Sequence, residues 1–211
     1  MRILKVSEQR GIIYVVDDDE QIRKGASVLL ETLDADLVAF DSAESFLEAY
    51  DGRRPACLVT DLCMLGMSGT ELQEHLHSLG IKMSVVVITA HASTASTVRA
   101  MKNGAFTLLE KPCDPNALWT AARNGLEIDK DTYEQELSCM SVRERLDSLT
   151  NKEQAVLECI VVGDANKVIA RKMDVSIRTV ENHRSRVFSK MKADSVAELV
   201  RMSLMVEQEG S

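Results

Sequence analysis

With 211 residues, 45% of them hydrophobic and a formal charge of −8, the chain has room for one large domain or two of ordinary size, each with its own core. No stretch approaches the roughly 18 apolar residues of a membrane span, and the first ten residues, MRILKVSEQR, lack the apolar core of a secretory signal, so a soluble cytoplasmic protein with no membrane partner is expected. The charge is uneven: the first 163 residues hold 16 basic side chains against 26 acidic ones, whereas residues 164–192 hold eight against three, the pattern of an acidic sensing or cation-handling part followed by one that meets a phosphate backbone. Five cysteines at 57, 63, 113, 139 and 159 form no C-x-x-C pair, which argues against a zinc or dithiol site and for reduced thiols.

Residues 1–10 read as a short leader. From Gly11 short apolar runs alternate with amphipathic stretches. GIIYVV, DLVAF, ACLVT, SVVVIT and AFTLL read as strands, mostly without polar alternation, as expected of strands buried on both faces. Helical spacing joins Ile22, Ala26, Leu29, Leu30 and Leu33, then Leu72, Leu76 and Leu79, and later Leu118, Ala122 and Leu126. Strands and helices in alternation predict a doubly wound α/β fold with a five-stranded parallel sheet, flavodoxin-like, over residues 11–126. Residues 127–147, charged and free of Gly and Pro, predict a linker helix. Tyr133, Leu137 and Met140 there could form a seam with a second copy or pack on their own domain. From 148 to 211 the pattern is all-α, a four-helix domain: Val156, Leu157, Ile160 and Val161, then Val168, Ile169 and Met173, then Val180, Val187 and Met191, then a helix near 195–205, with breaks at Gly163 and around Ser176.

In such sheets functional groups collect beyond the carboxyl ends of the strands. Asp17, Asp18 and Asp19 follow the first strand, Asp61 the third, Thr89 the fourth and Lys111 the fifth. Like charges held at one edge need a cation, and an all-oxygen set suits Mg²⁺; without one, the carboxylate pKa values should rise. Acids, a divalent ion and one lysine fit phosphoryl transfer, with Asp61 as the nucleophile that forms an acyl phosphate. Asp19 reads as a helix cap, and Asp114 before Pro115 as a helix start. Asp17 and Asp19 could also be the D-x-D of a haloacid-dehalogenase-like phosphatase, but that motif does not usually continue with Glu20 and Gln21.

The segments VVDDDE, VTDLCMLGMSG, VVITAH and LLEKP resemble the receiver domain of two-component response regulators over about residues 11–126. The resemblance implies that Asp18 and Asp61 ligate Mg²⁺ together with the backbone carbonyl of Cys63, and that Asp17 assists through water. It also implies that Lys111 pairs with the phosphoryl group, that Thr89 turns inward to it, and that the face of the fourth helix, fifth strand and fifth helix changes. The Lys111–Pro112 bond resembles a family position where the peptide is cis. Two positions depart from the pattern: Leu65 replaces a usual proline, and Leu108 a usual aromatic switch. Phe106 is expected on the same side of its strand as Leu108. Cys63 and His91, each two residues beyond a site residue, are candidates for tuning the lifetime of the acyl phosphate.

Residues 149–191 carry LTNKEQAVL, then GDANK and IA, a turn at DVS and a helix starting RTVENH, and these resemble the helix-turn-helix of the LuxR and FixJ/NarL group. With the receiver, the resemblance points to the FixJ-like branch. On a helical wheel Arg178, Asn182, Ser185, Arg186 and Ser189 oppose Val180, Val187 and Met191 and are the major-groove candidates. Asn182 suits adenine, Arg186 guanine or phosphate, and Glu181 cytosine or a solvated face. Lys167, Thr179, His183, Arg184 and Lys190 suit phosphate contacts. Asn166 reads as a cap. The expected protein is a transcription regulator, not an enzyme beyond its own phosphorylation and dephosphorylation. Its expected partners are DNA, a sensor histidine kinase, a second copy on activation, and RNA polymerase. A phosphate-independent regulator with constitutive DNA binding is the alternative.

Overall fold

The structure, a computed structural model, describes residues 10–90 and 93–209. The chain divides into two compact units, the first ending at Glu134 and the second beginning at Gln135.

The first unit alternates β1 (Gly11–Val16), α1 (Glu20–Leu30), β2 (Ala35–Phe40), α2 (Ala43–Ala49), β3 (Ala56–Asp61), α3 (Gly69–Ser78), β4 (Ser84–Thr89), α4 (Thr94–Lys102) and β5 (Ala105–Glu110). All strand pairs are parallel, in the order β2-β1-β3-β4-β5. The expected strands agree with these to within a residue. Because side chains alternate across a strand, β1 sends Ile12, Tyr14 and Val16 to a core with Phe46, Leu72, Leu76 and Ala100. It sends Ile13 and Val15 to a second core with Ala26, Leu30, Leu118 and Ala122. Ile13, Leu30, Leu58 and Leu72 are completely buried, each contributing roughly 1.5–3 kcal/mol relative to exposure. Leu79, read as part of the third helix's apolar face, caps α3 and is exposed.

One expectation fails in β5. Val85 pairs with Ala105 but Val86 pairs with Thr107, so Phe106 is the extra residue of a bulge. A bulge shifts the two-residue alternation by one. Phe106 therefore packs with Leu109 in the second core, whereas Leu108 packs in the first, on the opposite face.

Helix α5 (Pro115–Asp147) runs for 33 residues. The division expected between residues 126 and 127 lies inside it. Gly125 lets this helix lie on the sheet, since a Cβ there would stand 2.8 Å from Cys57 Sγ. Of the three seam positions, Tyr133 lies under the guanidinium of Arg54, Leu137 is half-buried and Met140 is exposed, while Cys139 and Val142 are buried.

In the second unit α6 (Asn151–Val162), α7 (Asn166–Lys172), α8 (Ile177–Met191) and α9 (Val196–Glu209) enclose a core of Val142, Leu149, Val156, Leu157, Ile160, Ile169, Val180, Val187, Met191 and Leu199. Thr150 and Glu153 form a capping box at the start of α6, and Gly163 ends it in the left-handed conformation. Asn166 does not cap α7: the cap position is Ala165, with no side-chain hydrogen bond.

Candidate functional site

The register of the sheet assembles the first site. Val16 pairs with Thr60, Asp61 with Ile88 and Thr89 with Glu110, so the residues that end β1, β3, β4 and β5 emerge at one edge. Strand order reverses between β1 and β3, the place where open α/β sheets have a crevice. Lys111 Nζ donates to Asp17 Oδ2 at 2.8 Å and to Asp61 Oδ2 at 2.5 Å. Asp17 and Asp61 are buried, Thr89 is fully buried at the same edge, and Asp18 is exposed. An oxygen from each of Asp17, Asp18 and Asp61 lies within 4.8 Å of the others.

Local bonds hold these carboxylates in place. Asp17 Oδ1 accepts the amide of Asp19 at 2.9 Å, Asp61 Oδ1 that of Cys63 at 3.0 Å, and Asp18 Oδ2 that of Leu65 at 2.9 Å. Two supports escaped the sequence reading. Arg23 donates to the carbonyl of Asp17 at 2.6 Å. Gly69 approaches so closely that a Cβ would stand 2.1 Å from the carbonyl oxygen of Asp61. The signal for Gly69 was present as the glycine that closes VTDLCMLGMSG, whereas Arg23 gave none.

Three carboxylates face one ammonium. Burial holds the Asp17 carboxyl above the usual carboxylate range, although the hydrogen bond from Lys111 opposes this. On Lys111 burial works to lower the pKa, but the two carboxylates outweigh it and keep the ammonium charged. A divalent cation would relieve the excess negative charge, and an all-oxygen donor set suits a hard ion such as Mg²⁺. The residues present therefore fit a metal site. Asp19 stands outside this cluster: its carboxylate caps α1 through the amides of Gln21 and Ile22, as expected, so it offers no second acid for a D-x-D phosphatase. The Lys111–Pro112 peptide is cis. Cys63 is exposed, and His91 lies outside the described residues. Leu65 is 83% exposed, which leaves it no packing role.

A second candidate surface lies on α8. Asp174, in the left-handed region with φ 52°, turns the chain after α7, and Ser176 caps α8 through the amide of Thr179. Val180, Val187 and Met191 are fully buried; Arg178, Glu181, Asn182, Ser185, Arg186 and Ser189 are exposed along the other side, as the wheel requires. Lys167 on α7 is exposed, and Thr179, His183 and Arg184 are half-buried. Lys190 is paired: its ammonium donates to Glu153 Oε2 at 2.7 Å and to the carbonyl of Ser148 at 2.8 Å, tying α8 to the start of α6. Lys172 is likewise paired, with Asp164 at 2.6 Å.

Comparison with known proteins assigns a family to each of the two parts of the chain. Residues 13–123 match the response regulator receiver domain, and residues 147–203 match the bacterial regulatory proteins of the luxR family. The transcriptional regulatory protein FixJ of Azorhizobium caulinodans is 42% identical over 193 residues, covering 92% of this chain and 92% of that protein. FixJ of Rhizobium meliloti is 38% identical, covering 91% and 94%. Among solved structures, the response regulator StyR superposes with a TM-score of 0.85 at 36% identity, covering 92% of this chain and 98% of that one. Full-length FixJ from B. japonicum gives 0.58 at 33% identity, covering 95% and 98%. No described helix is long and apolar enough to cross a membrane. With a receiver domain followed by a LuxR-type DNA-binding domain, the chain belongs to the FixJ-like response regulators, a family of transcription regulators.

Proposed function

We propose that Asp61 is the phosphoacceptor of this regulator. The observation that supports the reading most directly is the Lys111 ammonium bonded at once to Asp17 and Asp61 at the edge where Asp18 and Thr89 also emerge. An Asp61 carboxylate oxygen attacks the phosphorus of a phosphodonor, an acyl phosphate bond forms, and the bond to the donor's leaving group breaks. Lys111 moves its hydrogen bonds from carboxylate to phosphoryl oxygen and neutralises the added charge. Thr89 donates to a phosphoryl oxygen. Asp18, Asp61 and the backbone carbonyl of Cys63, with Asp17 assisting through water, would hold Mg²⁺, which would supply charge neutralisation when bound.

The DNA-binding surface comprises Arg178, Glu181, Asn182, Ser185 and Arg186 toward base edges, with Lys167, Thr179, His183 and Arg184 toward phosphates. Lys190, held by Glu153, is left out of this set. The phosphodonor is a sensor histidine kinase; phosphorylation favours a dimer through α4, β5 and α5, and the DNA-bound dimer engages RNA polymerase. Incubation with acetyl phosphate and Mg²⁺ should label the wild-type protein and leave Asp61→Asn unlabelled. Equal labelling of both would remove the proposal. Leu108, which replaces an aromatic switch and packs in the core, favours a second reading in which DNA binding ignores phosphate. That reading requires the same DNA affinity before and after labelling.

A further inference from the structure

A buried ion pair fastens α5 to the opposite end of β3 from Asp61. Arg54, two residues before β3, donates from Nε to Asp129 Oδ2 at 3.0 Å and from Nη2 to Asp129 Oδ1 at 2.8 Å. The same Oδ2 accepts the amide of Ala56, the first residue of β3, at 2.7 Å. Asp129 is 2% exposed, and one helical turn later the Tyr133 ring lies 5.1 Å from the guanidinium carbon. These residues stand in the stretch 127–134, beyond the receiver match that ends at residue 123.

A hydrophobic pair could hold a helix on a sheet as well as a buried ion pair does, and often better. What the forked pair adds is register: two parallel N–H bonds fix the helix along and around its axis, and the third bond refers that position to β3. Helix α5 also begins four residues after Lys111 and continues to Asp147 without a break. It is thus attached to the strand that ends in Asp61 and, through the chain, to the lysine that contacts it.

We propose that Arg54, Asp129 and Tyr133 form a coupling clamp, which makes residues 127–134 of α5 follow β3 so that phosphorylation of Asp61 is passed along α5 to the DNA-binding unit. The inference rests on the phosphoacceptor reading above. These three are positioning residues and take no part in the chemistry.

The test uses the full chain, acetyl phosphate with Mg²⁺, and a DNA duplex enriched from a random pool by the labelled wild-type protein. Two quantities are measured for each variant: the extent of Asp61 labelling, and the ratio of DNA affinities with and without label. The double variant Arg54→Met, Asp129→Asn removes the charges but keeps an acceptor for the Ala56 amide; Arg54→Lys keeps the charge and loses the fork; Tyr133→Leu removes only the ring. Labelling is expected to stay within about twofold of wild type in all three, while the affinity ratio falls about tenfold in the double variant and less in the single ones. Labelled variants with the wild-type ratio overturn the clamp, and so does loss of labelling in step with the ratio. If the double variant does not fold, the two single variants decide in the same way. Failure of the underlying reading is distinguishable, because it appears in the wild type as absent labelling or an unchanged affinity.

Discussion

The acid pocket of the first unit and the α8 face of the second carry charge in opposite ways. In the pocket, Asp17 and Asp61 are buried and their oxygens are already engaged by Lys111 and by the amides of Asp19 and Cys63. On α8, Arg178, Asn182 and Arg186 are exposed and in consecutive turns of one helix. The difference suits the two proposed roles. A transferring phosphoryl group is stabilised by charges already held in place before it arrives. A DNA groove is met by side chains that project from a rigid helix and exchange water contacts for base edges.

The comparison implies a hierarchy of effects. The largest is expected in the pocket: Lys111→Met should reduce the rate of Asp61 labelling by acetyl phosphate about 10²-fold or more, as loss of a single preorganised donor does elsewhere. A variant labelled at the wild-type rate would show that Lys111 only holds the acids apart. On α8 each contact is one among several, so Asn182→Ala or Arg186→Ala should each cost about 1–3 kcal/mol of affinity for the preferred duplex. Titration against salt would separate their roles, since loss of a phosphate contact lowers the salt slope by about one and loss of a base contact leaves it nearly unchanged.

The smallest effect belongs to Glu153, which lies between the two regimes as a buried acid in the DNA-binding unit. Its bond from Lys190, with help from the Thr150 amide, lowers its pKa from 4.5 to about 2. A carboxylate whose folded pKa is depressed adds stability above its unfolded value and loses it as pH falls through the folded one. Glu153→Gln should therefore lower Tm at pH 7, and the gap to wild type should close between about pH 4.5 and about pH 2, followed by thermal melts of the two proteins. A gap that stays constant with pH would mean that the capping geometry, and not the charge, supports α6.

The acids and lysine of the pocket were legible in the sequence because each stands at or just past the end of a largely apolar run. In a parallel sheet all such positions arrive at one edge whatever the details of packing. The exposed side of α8 was legible for a similar reason, since the 3.6-residue period separates Arg178 and Asn182 from Val180 and Val187 without reference to any other element. The pairing of Lys190 was not legible, because its partner Glu153 is 37 residues away and periodicity carries no information about such a contact. Phe106 was misplaced because a bulge exists only between two strands: Val85 and Val86 decide it, and nothing within AFTLL reveals it.

Local pattern and charge thus settled the class of fold, the edge that holds the acids and the outward face of α8, all of which depend on interactions along one segment or on a rule common to every sheet of this kind. Pairing across many residues settled the rest: the bond of Asp129 to Arg54 and Ala56, the bond of Lys190 to Glu153 and the opposite faces of Phe106 and Leu108. Each of these is a contact whose partner is chosen by packing, and packing is a property of the folded chain as a whole.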